Sequence, residues 1–260
     1  MEQETIIREV TEIGNGAHIF IPKEWIGNQV KVVLIARSLN IKKEVLNILE
    51  PYLEDIIGVY LVGSYARGEQ DSKSDIDIIA ISKSTKKEIT SGKYHISIST
   101  LEGIRKTLGA YPELVLPRLM EAKVILNPDI LEELKGYPIT KKSFKNFVED
   151  TKRIIKINKG FIELDSLEGG NLISKDTIYS IILRLRGVFL IKCVLKKEKY
   201  AKNDFKKWIL NILNEEEFEK VYSVYQLIRD KKKDKIIIKL QTAKKLQEFL
   251  IKELKYFERK

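Results

Sequence analysis

The chain has 260 residues, 43% of them hydrophobic and 32% charged, with a formal net charge of +10. That length holds one or two domains with cores of their own, and that balance excludes a disordered chain. A single cysteine, Cys193, and only two histidines, His18 and His95, exclude an internal disulfide framework and a four-ligand Cys/His zinc set, pointing to a reduced, cytoplasmic protein.

The opening MEQETIIREVTE is acidic and mixed and lacks the basic start and apolar block of a signal peptide. The most apolar long stretch, Ile178 to Leu195, is interrupted by Arg184, Arg186 and Lys192, so it reads as a buried or amphipathic helix and no membrane association is expected. Residues 1–136 carry 17 Lys+Arg against 20 Asp+Glu, and residues 137–260 carry 30 against 17. All of the positive excess therefore lies in the C-terminal half, where it suits either an anionic partner such as nucleic acid or a solvated Lys-rich helical surface.

The first segment, residues 1–37, reads as short strands broken by turns. Gly14-Asn15-Gly16 turns, Ala17 to Ile21 extends, Pro22 stops the ladder, Gly27-Asn28 turns again and Val30 to Ile35 is apolar and β-branched. Over Thr5 to Ala36 the run GNGAHIFIPKEWIG resembles the AbrB-like swapped hairpins, in which two chains interleave into a dimer that often binds DNA. The resemblance implies a homodimer and a nucleic-acid contact through this hairpin; a hairpin covering the edge of a neighbouring sheet fits the same residues.

The second segment, residues 38–136, predicts a helix over Ile41 to Ile56 with Pro51 ending or kinking it, a strand Ile57 to Val62, a short helical turn, and a strand Asp75 to Ile81. A lysine-bearing loop, a strand Lys93 to Thr100, a helix from Glu102, helical turns over Tyr111 to Met120, a strand Lys123 to Leu126 and a helix from Pro128 follow. The third, residues 137–260, predicts helices over 142–164, 174–197, 203–213, 215–229 and 235–257, with Ser174 and Asn203 as caps. The fold class expected is α+β: a mixed sheet with flanking helices, preceded by a small β-hairpin segment and followed by an antiparallel helical bundle.

The chemistry concentrates in VGSYARGEQDSKSDIDIIA, Val62 to Ala80. Residues two apart on a strand share a face, so Asp75 and Asp77 project together, and two adjacent carboxylates ask for a cation between them. Mg²⁺ held by one or two carboxylates plus substrate phosphates answers that need. Gly63, with no side chain to obstruct a phosphate, the Ser64 hydroxyl and the amides that follow form an anion cradle.

Gly63-Ser64, ten residues and Asp75-Ile76-Asp77 between two apolar strands resemble the DNA polymerase β-like nucleotidyltransferase superfamily, in its minimal and aminoglycoside-type branches. The resemblance spans Leu39 to Asn127. It implies that Asp75 and Asp77 are catalytic and bind Mg²⁺ or Mn²⁺, that Gly63 and Ser64 bind the phosphates of a nucleoside triphosphate, ATP first, and that a nucleoside monophosphate passes to a hydroxyl acceptor on protein, RNA or a small molecule. Arg67 either neutralises phosphate charge or pairs with Glu69 or Asp71. The family also places a third carboxylate on the next strand, where this chain has Ser97; Glu88 and Glu102 are the acids nearby in sequence. Without that acid two readings remain beside the enzyme: a nucleotide-binding regulator that dimerises through the hairpin, and an antitoxin-like partner protein. His95 is a half-exposed strand residue, and Arg184 and Arg186, inside an apolar helix, need an anionic partner.

Overall fold

The computed structural model describes residues 6, 8, 10–32, 40–72, 74–232 and 235–258. They fall into two compact units, residues 1–41 and 42–260.

In the first unit β1 (Thr11–Ile13) and β2 (Gly16–His18) form an antiparallel hairpin pairing Thr11 with His18. Gly14 makes the turn at φ +53°, a conformation that favours glycine. The strand ends at His18, short of the expected Ile21, and one turn of 3-10 helix, Lys23–Trp25, follows Pro22. Residues 30–32 are not paired, and the rest of the strand expected at Val30 to Ile35 lies outside the described residues. No residue from 10 to 32 is buried, and Ile13, Phe20 and Ile26 stand in the open.

The second unit is built on a five-stranded sheet of β3 (Ile56–Val62), β4 (Ile76–Ser82), β5 (Lys87–Ser91), β6 (Tyr94–Thr100) and β7 (Lys123–Leu126) in the order β5-β6-β4-β3-β7. The β4–β6 pair is parallel and the other neighbours are antiparallel. β5 is a strand where the sequence suggested a loop. Gly92, at φ +57°, folds it back as a hairpin on β6, and its Lys87, Glu88 and Thr90 suit an exposed edge.

Both faces of the sheet are buried, so Asp77 shares its face not with solvent but with Ile79 and Ile81. That face, with Tyr60 and Val62, packs on Ile104 and Leu108 of α3 (Leu101–Ala110) and on Leu116 and Leu119 of α4 (Pro112–Glu121). On the opposite side α1 (Ile41–Leu49) buries Val45 and Leu49, and its Glu44 accepts a hydrogen bond from the Tyr94 hydroxyl of β6. Between β3 and β4 lies α2 (Gly63–Arg67), and α5 (Pro128–Lys135) follows β7 under an Asn127 cap.

The remaining helices are α6 (Lys145–Glu168), α7 (Asp176–Lys196), α8 (Lys202–Ile209), α9 (Glu215–Arg229) and α10 (Leu240–Glu258). Among the described residues this region adds only an isolated bridge, Asn171 to Lys239, to the helices. α7 is apolar on every side because it is enclosed by α4, α6, α9 and α10, and among the described residues no helix is long and apolar enough to cross a membrane. α6 and α7 approach closely at Gly187, where a Cβ would come 2.6 Å from the Phe147 ring. Ser174 and Asn203 are not caps. Ser174 instead donates to Asp165 through its amide and hydroxyl, and α8 begins one residue earlier, after Ala201. Sheet and helical layers share one apolar cluster running from Tyr60 and Ile79 through Phe144 to Leu185 and Leu250.

The β4–β5 loop is fixed by Asp55, whose carboxylate accepts from the amides of Ser84 and Thr85 and from the Ser84 hydroxyl. Hydrogen bonds from Thr85, then Ser84, lower its pKa from 3.8 to about 2. A depressed carboxylate stabilises the fold above its unfolded pKa, and that contribution fades as pH falls from 3.8 toward 2. Asp55→Ala is therefore expected to lower the melting temperature at pH 7, with the gap to wild type closing in melts recorded down to pH 2.

Candidate functional site

β3 delivers its last residue, Val62, opposite Asp77 of β4. Gly63 then turns at φ +74° to start α2, and a Cβ on it would lie 2.5 Å from Asp77 Oδ2. Glycine is thus required here for two reasons, the left-handed backbone and the approach of a carboxylate to the bare Cα. Ser64, half-buried, opens the first turn of α2, and Gly68, at φ +74°, ends it.

Asp77 is half-buried and makes no hydrogen bond or ion pair among the described residues. Burial raises its pKa above the usual carboxylate value, opposed by the charges of Arg118, His95 and Arg67 and reinforced by that of Asp75. Asp75 lies one residue before β4, with its side chain 59% exposed and Oδ2 3.8 Å from His95 Nε2. His95 stands beside Asp77 in the parallel register, and its Nδ1 lies 3.4 Å from the Thr90 hydroxyl. Among the described residues no set of three or more His, Cys, Asp or Glu side chains converges on one point. Two acids, one desolvated and without a hydrogen-bonded partner, fit a divalent cation that completes its shell with substrate oxygens.

Arg67 donates through Nε to Glu69 Oε2 and through Nη1 to Glu121 Oε2, both at 2.7 Å. It pairs with Glu69, as one sequence reading had it, while Asp71 instead bonds Ser74. The second partner, Glu121 at the end of α4, had no signal in the sequence. Its side chain is 7% exposed, and its other oxygen accepts the Gly63 amide at 2.8 Å. One buried carboxylate thus ties the Gly-Ser turn to Arg67 and to α4.

Ser97 sits on β6 between Ile79 of β4 and Glu88 of β5, and its hydroxyl donates to Glu88 Oε1 at 2.6 Å. Glu102 is exposed in the first turn of α3. In the helical layer, Arg184 lies over the Phe147 ring at 5.8 Å. Arg186 donates to the Tyr225 hydroxyl, while its buried Nε has no hydrogen-bond partner. Arg67 and Arg186 share the Tyr200 ring, with guanidinium carbons 5.3 and 5.9 Å from its centre.

Residues 42–163 match a family model described as "Nucleotidyltransferase domain". Residues 3–37 match a second one, described as "Putative transposon-encoded protein (DUF2080)". A Methanocaldococcus jannaschii protein named "Putative protein adenylyltransferase" is 36% identical over 122 residues, 42% of this chain and 82% of that relative. Among solved structures, spectinomycin adenyltransferase from Enterococcus faecialis, crystallised with ATP and spectinomycin, is 14% identical with a TM-score of 0.45, covering 82% of this chain and 97% of its own. A nucleotidyltransferase-like protein from Exiguobacterium sibiricum is 13% identical with a TM-score of 0.37, covering 84% and 75%. The domain match and a relative matched over four fifths of its length carry the assignment: the chain belongs to the nucleotidyltransferase family.

Proposed function

We propose that the protein transfers a nucleoside monophosphate, AMP from ATP first, to a hydroxyl acceptor and releases pyrophosphate. The observation that supports this best is the close approach of Gly63 to Asp77, which sets the glycine turn directly against an unneutralised carboxylate. Ser64 and the amides that follow Gly63 hold the triphosphate, the Gly63 amide itself being taken by Glu121. Arg67 is committed to two acids and therefore fixes the turn rather than neutralising phosphate. Arg186 packs against the Tyr200 ring that Arg67 also covers, and donates to the Tyr225 hydroxyl. Asp75 and Asp77 would hold Mg²⁺ or Mn²⁺, which supplies charge neutralisation at the transferring phosphoryl group.

In this reading the acceptor oxygen bonds to the α-phosphorus as the bond to the bridging α–β oxygen breaks, and pyrophosphate carries off that electron pair. The acceptor proton passes to the Ser97 oxygen as Ser97 gives its own proton to Glu88, along the hydrogen bond already formed. Glu88, one strand further out, thus supplies the basicity that Ser97 lacks.

With each α-labelled nucleoside triphosphate, Mg²⁺ or Mn²⁺ and a panel of acceptors, wild type is expected to transfer label and Asp77→Asn to lose it about 1000-fold or more; equal labelling by both proteins sinks the proposal. The same substitution is expected to raise the melting temperature of the metal-free protein at pH 8. The pKa of Asp77 is raised in the fold, so ionisation costs nothing below 3.8, costs more as pH rises through the raised value, and costs its full amount above it.

Glu88→Gln and Ser97→Ala are each expected to lower kcat by roughly 100-fold. The double variant should be no slower than either single one; additive losses would separate the two residues.

A second reading is favoured by the N-terminal unit, in which no residue from 10 to 32 is buried: the hairpin dimerises the chain and brings it to DNA. Light scattering and gel shifts should then show a DNA-binding dimer for the full chain and neither property for residues 38–260. Identical behaviour of the two removes this reading.

A further inference from the structure

On the Asp77 face of the sheet, one step further along β4 and β6, lies a cavity of about 200 Å³. Its floor is Ile79, Ser97 and Ser99; its walls are Lys86 from the loop fixed by Asp55, Thr107 of α3 and Arg118 of α4. No carboxylate lines it. Glu88, outside the lining, accepts from the Ser97 hydroxyl of the floor. Neither Lys86 nor Arg118 has an acid within salt-bridge distance among the described residues. Asp77 feels Arg118 through space. If Asp77 is committed to a cation, as proposed above, that compensation is withdrawn. Two cations and a hydroxyl-lined floor then face a small volume with no anion of the protein's own.

A water's share of liquid volume is about 30 Å³, so the cavity holds the equivalent of roughly seven waters. Pockets for whole drug-sized ligands start at about 300 Å³. The cavity is sized for a charged head group, not for a nucleoside. We propose that it is the acceptor's anion subsite, and that the acceptor is a small phosphate monoester whose free hydroxyl reaches Ser97 while its phosphate lies between Lys86 and Arg118. The proposal rests on the nucleotidyl-transfer reading for the term acceptor. The anion site itself rests on the cavity and its cations.

The test separates the two. Calorimetry on the full chain with Mg²⁺ and a non-hydrolysable ATP analogue first measures the nucleotide site. Inorganic phosphate and glycerol 3-phosphate are then titrated into the analogue-saturated protein. Both are expected to bind without displacing the analogue. Lys86→Met and Arg118→Met should each weaken them by about tenfold or more, as should Ser97→Asp, which adds an acid to the floor, while circular dichroism confirms that each variant is folded. In the transfer assay, glycerol 3-phosphate should be labelled in preference to glycerol.

Competition between phosphate and the analogue would place the anion on the triphosphate grip and overturn the subsite. Equal binding by wild type and all three variants would overturn it as well. Binding of phosphate without glycerol 3-phosphate would leave a free-anion site and overturn the acceptor assignment. Failure of the analogue to bind, with phosphate still sensitive to Lys86 and Arg118, would remove the nucleotide reading and the acceptor role while the anion site stands.

Discussion

The site depends on the absence of a side chain at Gly63. β3 and β4 are ordinary apolar strands until their shared end, where Val62 faces Asp77 and the chain turns back over the carboxylate so closely that a Cβ on Gly63 would lie 2.5 Å from Asp77 Oδ2. A methyl group would push Asp77 out of its place and strain a backbone at φ +74°. Everything assembled around the turn follows from that closeness. A carboxylate brought under a helix start leaves the Gly63 amide within reach of Glu121, and Glu121 in turn orders Arg67.

Burial explains why these acids differ in character. Asp75, outside the strand and largely exposed, keeps its solvent. Asp77, one strand step inward, shares its face with Ile79 and Ile81 and has lost part of its hydration without a hydrogen bond in return. Glu121, more enclosed still, is satisfied by an amide and a guanidinium. A desolvated, unpaired carboxylate is a poor structural element and a good ligand; a desolvated, paired one is the reverse. The environment thus divides acids of one kind into a binding group and a fastening group.

The sequence made the binding group legible because it is local. Strand parity predicts that Asp75 and Asp77 project together, and a Gly-Ser pair at the end of an apolar strand announces the turn that Gly63 makes beside Asp77. Glu121 is 58 residues from Gly63 and sits at the end of an amphipathic helix, where an acid has no distinguishing pattern. β5 is short and exposed at the sheet edge, with only Ile89 apolar, so it carries no alternation that the sequence could show. Ser174 and Asn203 have the composition of caps, but tertiary bonding to Asp165 and a start at Lys202 override that local preference. Likewise, only the folded sheet reveals that Ile79 and Ile81 bury the face on which Asp77 stands.

Ser97 changes the electrostatics of the family's site more than its shape. An acid at this position would make the acceptor side negative and favour cationic acceptors. With serine there, the cavity beside it is lined by Arg118 and Lys86, both positive, while Glu88, one strand out, accepts from the Ser97 hydroxyl. A cationic acceptor would meet two like charges in a partly desolvated space, where repulsion is screened less than at an open surface. An anionic acceptor would meet the opposite field. Under the proposed acceptor assignment, serine rather than an acid at residue 97 would move one negative charge from enzyme to substrate.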